Sequence, residues 1–272
     1  MDKDINIQHL IDRPEPSELF LKARQFAGSQ LQSQFSFFNN KTANSSYDGF
    51  KWIKAELSYP SFDNLTFAYK NAVFSVVIEL IDDANSSFTQ QQKDRLLIAC
   101  EENNLTPCLF KIHVKEMFQG NYELASFAHG WNLYDAITND KIDPFSMSSD
   151  KKIMMSSWEL SNFAIQIVKS SLQEEGHRVL SFCDLPEVNP QIWFKDAMGN
   201  VNWVIAKYNP GTSGLSLQEW AALIDKNPLL KPYNGFFAQV KFHSHSSKSS
   251  IDLFRGDEVI VSYEGLDRIY TP

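Results

Sequence analysis

The sequence predicts an α+β fold of two homologous modules, each with the order α-β-β-β-α-β and a mixed sheet flanked by helices. Three repeated features support this prediction: an amphipathic helix, a β-hairpin after it, and a capped helix that leads into a further strand. We place the modules at residues 15–146 and 156–272, and we expect a pseudo-two-fold axis to relate them. A polar stretch near residues 145–152 joins the two.

The first repeated feature is the amphipathic helix. Residues 18–32 align with residues 159–173 without gaps, and seven of the aligned positions are identical. Apolar residues recur at helical spacing in both copies, so each helix is expected to bury one face. Ser156 and Glu159 form a capping-box pattern at the start of the second copy, and Gly176 follows it where a left-handed C-cap is expected.

The second repeated feature is a hairpin at residues 67–80 and again at 194–208. In both copies a polar turn joins a short strand to a longer one that is rich in Val, Ile and aromatic residues. Trp193 and Trp203 are expected on paired strands, on the sheet face that points away from the main core. Something must cover these rings, and we expect the other module to do so, with the module-one insertion or a second chain as alternatives.

The third repeated feature is a helix that a capping box opens, followed by a strand. The capping pattern is Thr89 with Gln92 in the first copy, and Ser216 with Glu219 in the second. The strands then share a Lys-apolar-His sequence. Two tyrosine-acid pairs extend the apparent match, Tyr134-Asp135 and Tyr263-Glu264.

Module one differs from module two by an insertion at residues 37–60, which contains Trp52 and Tyr59. We interpret it as a surface excursion or as a flap that contacts a partner. In module two the elements are predicted as helices at 158–175 and 216–226 and strands at 178–183, 190–195, 200–208, 235–243 and 257–263.

Composition restricts the class of protein. The 272 residues carry a formal net charge of -8, so no overall basic field would attract nucleic acid or anionic lipid. No apolar run approaches the ~20 residues that span a bilayer, and the first residues lack the pattern of a secretory signal. Three cysteines without CxxC spacing favour reduced thiols over a disulfide framework. These features predict a soluble, cytoplasmic, bacterial-type protein.

In module two, Gln191 enters one strand and Lys207 lies near the end of the next. Together with the α-β-β-β-α-β order, this resembles the PD-(D/E)xK nuclease-like superfamily. In that family an Asp opens the second strand and a Glu-x-Lys closes the third, because two carboxylates hold Mg²⁺ while the lysine helps to orient the attacking water. Carried over to this chain, Gln191 and Ile205 stand in place of the carboxylates, and Lys207 matches the lysine.

In module one the same positions fall on Asn64 or Leu65, on Val77, and on Glu79 in the place of the lysine. Neither module therefore keeps the carboxylate pair that would bind the metal. The resemblance implies degenerate nuclease modules that are retained for binding.

Two sets of residues are candidates for chemistry. Glu159, Asp196 and Lys207 could form an atypical divalent-metal site, although helix capping is the preferred interpretation of Glu159 and of its counterpart Glu18. His243 and His245 have the spacing of a metal pair on one strand face, although a strand histidine with a solvated neighbour is preferred. The sequence predicts no cofactor.

The favoured function is non-enzymatic. We expect the chain to act by contact with a protein partner or by self-association. One alternative is a divalent-metal phosphodiesterase or nuclease that uses the atypical site. The other is nucleic-acid binding without cleavage, through Lys207, Lys241 and Lys248.

Overall fold

The chain folds into two similar α+β modules, each built on its own six-stranded mixed sheet. The structure is a computed structural model that describes residues 6–7, 16–42, 49–56, 64–82, 87–117, 121–149, 151–208, 217–244 and 252–270. Within these ranges, no strand of one six-stranded sheet pairs with a strand of the other. The predicted fold class is confirmed.

Module one forms the sheet order β2-β3-β4-β5-β6, and β7 pairs with β5 beside β6. All neighbouring strands are antiparallel except β4 and β5, which are parallel and are joined through α2. Its elements are α1 (Glu18–Thr42), β2 (Phe50–Lys54), β3 (Leu65–Tyr69), β4 (Ala72–Ile81), α2 (Gln90–Asn103), β5 (Thr106–Glu116), β6 (Tyr122–Ser126), β7 (Leu133–Asp135) and α3 (Pro144–Met147), preceded by a short β1 (Asn6–Ile7).

Module two repeats this topology strand for strand. Its sheet has the order β8-β10-β11-β12-β13, with β14 on β12, and only β11 and β12 are parallel. The short β9 pairs instead with β1. The elements are α4 (Ser157–Glu174), β8 (Arg178–Phe182), β9 (Val188–Asn189), β10 (Ile192–Lys195), β11 (Val201–Tyr208), α5 (Leu217–Asp225), β12 (Asn234–Ser244), β13 (Val259–Tyr263) and β14 (Asp267–Tyr270).

Module one is longer than module two between the first helix and the hairpin, but residues 37–60 are not a single excursion from the fold. Residues 37–42 are the end of α1, and β2 is the first strand of the sheet, the counterpart of β8. Trp52 lies on this strand and donates a hydrogen bond from its indole nitrogen to Gln32 on α1. The interpretation of this segment as a surface excursion is therefore wrong. The sequence does not reveal β2, because the strand is short and polar residues surround it. Tyr59 lies outside the described residues.

Two of the smaller sequence matches, the tyrosine-acid pairs and the Lys-apolar-His sequences, do not occupy equivalent places in the two sheets. Tyr134 lies on β7, whereas Tyr263 lies on β13, which corresponds to β6. In the parallel strand pairs, Lys111 lies opposite Glu79, but Gln239 occupies the equivalent place opposite Lys207. The two Lys-apolar-His sequences are therefore two residues out of step.

The aligned first helices are true counterparts. In α1 the buried stripe contains Ala23, Ala27 and Leu31, and the aligned residues Ala164, Val168 and Leu172 of α4 are buried in the same way. Each helix covers one face of its own sheet, because its small and branched side chains pack against alternate residues of the strands.

The second helices cover the opposite sheet faces. The rings of Trp193 and Trp203 pack with Trp220 of α5, so a helix of the same module covers them. The expectation that module one would provide this cover was wrong. A right-handed crossover between the parallel strands β11 and β12 places α5 on the face that α4 leaves open.

The predicted helix caps are present where the structure describes them. Thr89 with Gln92 and Ser156 with Glu159 each form a complete capping box. Gly176 ends α4 with a φ of +82°, a left-handed conformation that favours glycine. The third pattern includes Ser216, which lies outside the described residues.

A tight contact between Gly235 and Trp203 gives a stability prediction. A Cβ at Gly235 would lie 2.0 Å from the ring of Trp203, whereas a Cβ at Gly28, inside α1, would meet nothing within 4 Å. We expect Gly235→Ala to lower the free energy of unfolding by about 1–3 kcal/mol through overpacking. Gly28→Ala should raise it by about 0.5–1 kcal/mol through helix propensity. Urea denaturation followed by tryptophan fluorescence measures both, and equal effects would contradict the proposed contact.

Candidate functional site

Gln191, which we expected to match the aspartate of the nuclease-like family, lies directly before β10 and has a structural role. Its side chain is fully buried. The amide nitrogen donates to the carbonyl of Val188 at 2.7 Å and to Asn189 at 3.0 Å, and the amide oxygen accepts from the backbone N–H of Ala206 at 2.9 Å. The hydrogen-bonding capacity of the amide is therefore used to join two strands and a loop.

Asn64 is the module-one counterpart of Gln191. The hairpin registers pair Leu65 with Val76 and Ile192 with Val204, which places Asn64 and Gln191 at the same point before the strand. Asn64 is buried and donates to the hydroxyls of Thr66 and Ser75. A buried amide thus holds this position in both modules.

Lys207 points into the protein. Its ammonium donates to the carbonyl of Pro186 at 3.0 Å and lies 5.9 Å from the ring centroid of Trp220. Desolvation lowers the pKa of Lys207 to about 8, against a weaker opposing effect of Glu187.

The three residues of the atypical metal site do not come together. Asp196 occupies the turn before β11, where its carboxylate accepts from the backbone N–H groups of Met198 and Asn200. Lys207 lies towards the other end of β11, about 20 Å away along the strand. Glu159 instead binds the start of its own helix and the side chain of Arg255.

Glu159 caps its own helix and pairs with a buried arginine. Its carboxylate accepts from the backbone N–H of Ser156, which completes the capping box. The same carboxylate binds the guanidinium of Arg255 through three contacts of 2.7–3.0 Å. Capping, the preferred interpretation, is confirmed for Glu159. Glu18 differs, since it is the exposed first residue of α1 and pairs with Lys22 at 2.7 Å.

Arg255 also binds module one. Its two terminal nitrogens each donate at 2.8 Å to a carbonyl at the end of α2, those of Asn103 and Asn104. These carbonyls belong to the last turn of a helix, where backbone acceptors lack partners within the helix. One side chain therefore joins the start of α4, the segment before β13, and the end of α2.

A second polar contact joins the modules. Lys54 on β2 forms an ion pair of 3.1 Å with Asp184, and both side chains are buried. The indole N–H of Trp158 donates to the same carboxylate at 3.3 Å. Nearby, Asn162 on α4 donates to the carbonyl of Ile53 at 2.9 Å. Helix α4 is thus fixed against β2 of module one as well as against its own sheet.

The histidine pair and the basic residues give no site in the described part of the chain. His243 is exposed on β12, and His245 lies outside the described residues. Among the residues that the structure describes, no group of His, Cys, Asp and Glu could hold a metal ion. Lys241 pairs with Glu264 at 3.3 Å, and Lys248 also lies outside the described ranges.

An open apolar groove of about 650 Å³ runs between α4 and β13. This volume lies within the range of about 300–1,000 Å³ that is usual for ligand sites. One wall is the outer face of α4, and the other is the edge strand of the module-two sheet. We call it the α4–β13 groove. It is lined by Lys51, Met155, Leu160, Phe163, Gln166, Ile167, Ser170, Ser171, Glu174, Phe242, Gly256, Asp257, Val259, Val261 and Tyr263.

Charges stand at both ends of the α4–β13 groove. Lys51, contributed by module one, and Asp257 lie near the start of α4, and Glu174 is the last residue of that helix. Desolvation lowers the pKa of Lys51, against an opposing effect of Glu159. Tyr263 lies towards the Glu174 end, where desolvation and then Glu175 raise its pKa to about 12.

The groove explains part of the internal repeat. Of the seven identities between the first helices, Ala164 and Leu172 lie in the core, whereas Leu160, Gln166 and Ser170 line the groove. Leu160 also packs against the core of module two, but burial there does not account for Gln166 and Ser170. The sequence alignment therefore contained a signal for the groove, although its meaning needed the structure.

Other parts of the site gave no sequence signal. Arg255 and Asp184 lie in irregular segments, and their partners are distant along the chain. Neither residue belongs to a motif with a fixed spacing, so local pattern analysis could not pair them.

Comparison with known families matches residues 158–269 to a domain of unknown function, DUF8840. The matched range runs from the first turn of α4 into β14, which are elements of module two, and covers less than half of the chain. Comparisons with curated proteins and with solved structures give no significant match. Within the described ranges, no helix has both the length and the apolar character needed to span a membrane.

The pairing of Arg255 with Glu159 can be tested by a double-mutant cycle. Arg255→Met leaves a buried carboxylate without its cation, so we expect a loss of about 3–5 kcal/mol in the free energy of unfolding. Adding Glu159→Gln removes the charge but keeps a side chain that completes a capping box, so the double variant should be more stable than Arg255→Met alone. Additive losses in urea denaturation would contradict the pairing.

The pKa of Lys207 predicts a pH dependence of stability. Because this pKa falls to about 8 in the folded chain from the ordinary lysine value of 10.5, the unfolded chain binds more protons between these pH values. The burial of the ammonium therefore opposes folding below pH 8, and this opposition fades as the pH rises. We expect the stability of the wild type relative to Lys207→Met to increase from pH 8 to pH 10. Lys226→Met, at an exposed site, should follow the wild-type curve.

Proposed function

We propose that this chain is a non-catalytic binding protein that acts by contact with a protein partner, and that the α4–β13 groove is the contact surface. The observation that carries the proposal is the groove itself, where apolar residues of α4 that are only partly buried lie beside an edge strand. Exposed apolar surface of this kind is characteristic of interaction sites. An edge strand adds unpaired backbone groups that a partner can bind.

We also propose that both modules are degenerate relatives of the PD-(D/E)xK nuclease-like superfamily, and hence pseudo-enzymes. The order of elements in each module supports this relationship, as do the matched positions of Gln191 and Asn64 directly before the first strand of each hairpin. Both positions hold amides engaged in internal hydrogen bonds. An amide supplies no negative charge to a divalent cation, which favours binding over hydrolysis.

A cytoplasmic location completes the proposal. All three cysteines are free and buried, and desolvation raises the pKa of each thiol. Buried thiols of this kind suit a reducing compartment, where they act as small apolar residues.

The groove can be tested with two neighbouring residues of β13. Val261 lines the groove, whereas Ile260 does not and, because side chains alternate along a strand, points to the other face. Their exposed fractions are similar, 45% and 49%. We expect Val261→Glu to reduce the recovery of co-purified partners from the source cell at least tenfold, and Ile260→Glu to leave it within twofold. Quantitative mass spectrometry of the purified complexes measures this.

Two outcomes would contradict the proposed function. One is equal partner recovery by both variants and the wild type. The other is hydrolysis of DNA or RNA by the wild type with Mg²⁺ or Mn²⁺ that Lys207→Met abolishes, which would restore the enzyme hypothesis.

A further inference from the structure

We infer that the occupant of the α4–β13 groove is an amphipathic α-helix that lies antiparallel to α4 and carries basic side chains at its start. This inference rests on the proposed function, and it specifies the chemistry and orientation of the partner segment.

The spacing of residues along α4 favours a helical occupant. Leu160, Phe163, Ile167, Ser170 and Glu174 line the groove at alternating intervals of three and four residues. This is the spacing by which one helix packs along another at a shallow angle. The opposite stripe of α4, with Ala164, Val168 and Leu172, is already packed in the core of module two. The three apolar residues of the groove stripe also pack partly against this core, and the surface that they leave exposed forms a second helical seam along the groove.

Strand β13, the second wall of the groove, would contact the other side of such a helix. Strand β13 runs in the same direction as α4, with Val259 near the start of the groove and Tyr263 near its end. A helix between these walls would contact apolar side chains on both sides, as in helix-in-groove recognition. From Leu160 to Glu174 the seam is about 21 Å long, which corresponds to a partner segment of about four turns.

The charges along the groove determine the orientation. At the start of α4, Lys51 and Asp257 have opposite charges that largely offset one another. At the other end, the carboxylate of Glu174 adds to the negative end of the α4 dipole. A partner that begins there places the positive end of its own dipole, and its basic side chains, against Glu174. The parallel orientation would bring two negative helix ends together.

A strand added to β13 explains fewer of the observations. Its side chains would alternate across the sheet, so only every second residue would reach the groove. The helical spacing of the seam on α4 would then have no counterpart in the ligand. Addition of a strand from a partner or from a second copy of this chain is therefore an outcome that would overturn the inference.

Two designed peptides test the occupant and its orientation. Both are fluorescein-labelled, have 20 residues with leucines at three- and four-residue intervals, and carry the same lactam bridge to hold the helix. They differ only in whether three lysines stand at the start or at the end. We expect the wild-type protein to bind the lysine-first peptide in fluorescence anisotropy, and Val261→Glu to weaken this binding at least tenfold. Ile260→Glu should change it less than twofold.

Charge reversal separates orientation from simple attraction. Glu174→Lys should weaken the lysine-first peptide about five- to tenfold and change the lysine-last peptide less than twofold. Glu101→Lys makes the same charge change at an exposed residue of α2 that does not line the groove, and should affect both peptides equally and weakly. An equal response of both peptides to Glu174→Lys would overturn the orientation.

The failure of this inference differs from the failure of the proposed function. If Val261→Glu loses the cellular partners but neither peptide binds the wild type, the helical occupant is wrong and the binding function stands. If the chain forms a dimer in analytical ultracentrifugation that Val261→Glu dissolves, the occupant is a second copy and the inference is also wrong.

Discussion

The guanidinium of Arg255 is the buried contact that holds the start of α4 and the end of α2 together, and it helps to determine how the two modules fit. A buried arginine is tolerated only when its donors find acceptors, and here they bind the Glu159 carboxylate and two carbonyls at the end of α2. The pair need not add much net stability, because desolvation of both charges offsets much of their attraction. Its effect is to select one arrangement: if module one moved relative to α4, a charge or two helix carbonyls would lose their partners.

This arrangement gives α4 three different environments. One stripe packs on its own sheet, and Trp158 on another side packs with Ile53 of module one, a contact that Phe163 shares from the edge of the groove. The third faces the α4–β13 groove, and Lys51 of module one stands at its mouth. The groove is therefore a product of both modules, and the Arg255 contact influences it without lining it. A single module would lack the charged end that Lys51 provides.

Local pattern was sufficient to predict the elements that have strong periodicity or caps. Both first helices, both hairpins and two of the three capping boxes follow from residues close together in the chain. Strand β2 could not be predicted from local pattern, because Phe50–Lys54 is short and its place in the sheet depends on pairing with β3. The packing of α5 on Trp203 was not predictable from local pattern either, because it depends on which face of the sheet α5 covers. Arg255 was unpredictable because its acceptors are contributed by two distant segments and by the backbone, which has no sequence signature.

Two buried amides, Gln191 and Asn64, occupy the positions that the proposed nuclease-like relationship would assign to a metal-binding carboxylate. Gln191 donates to Val188 and accepts from Ala206, so it fills both roles that the buried backbone requires. A carboxylate there could only accept, and its charge would demand a cation. The amide therefore satisfies the buried backbone groups around it without introducing a charge. What the fold leaves open is the outer seam of α4, and core packing offers no reason for two of the residues repeated there, Gln166 and Ser170.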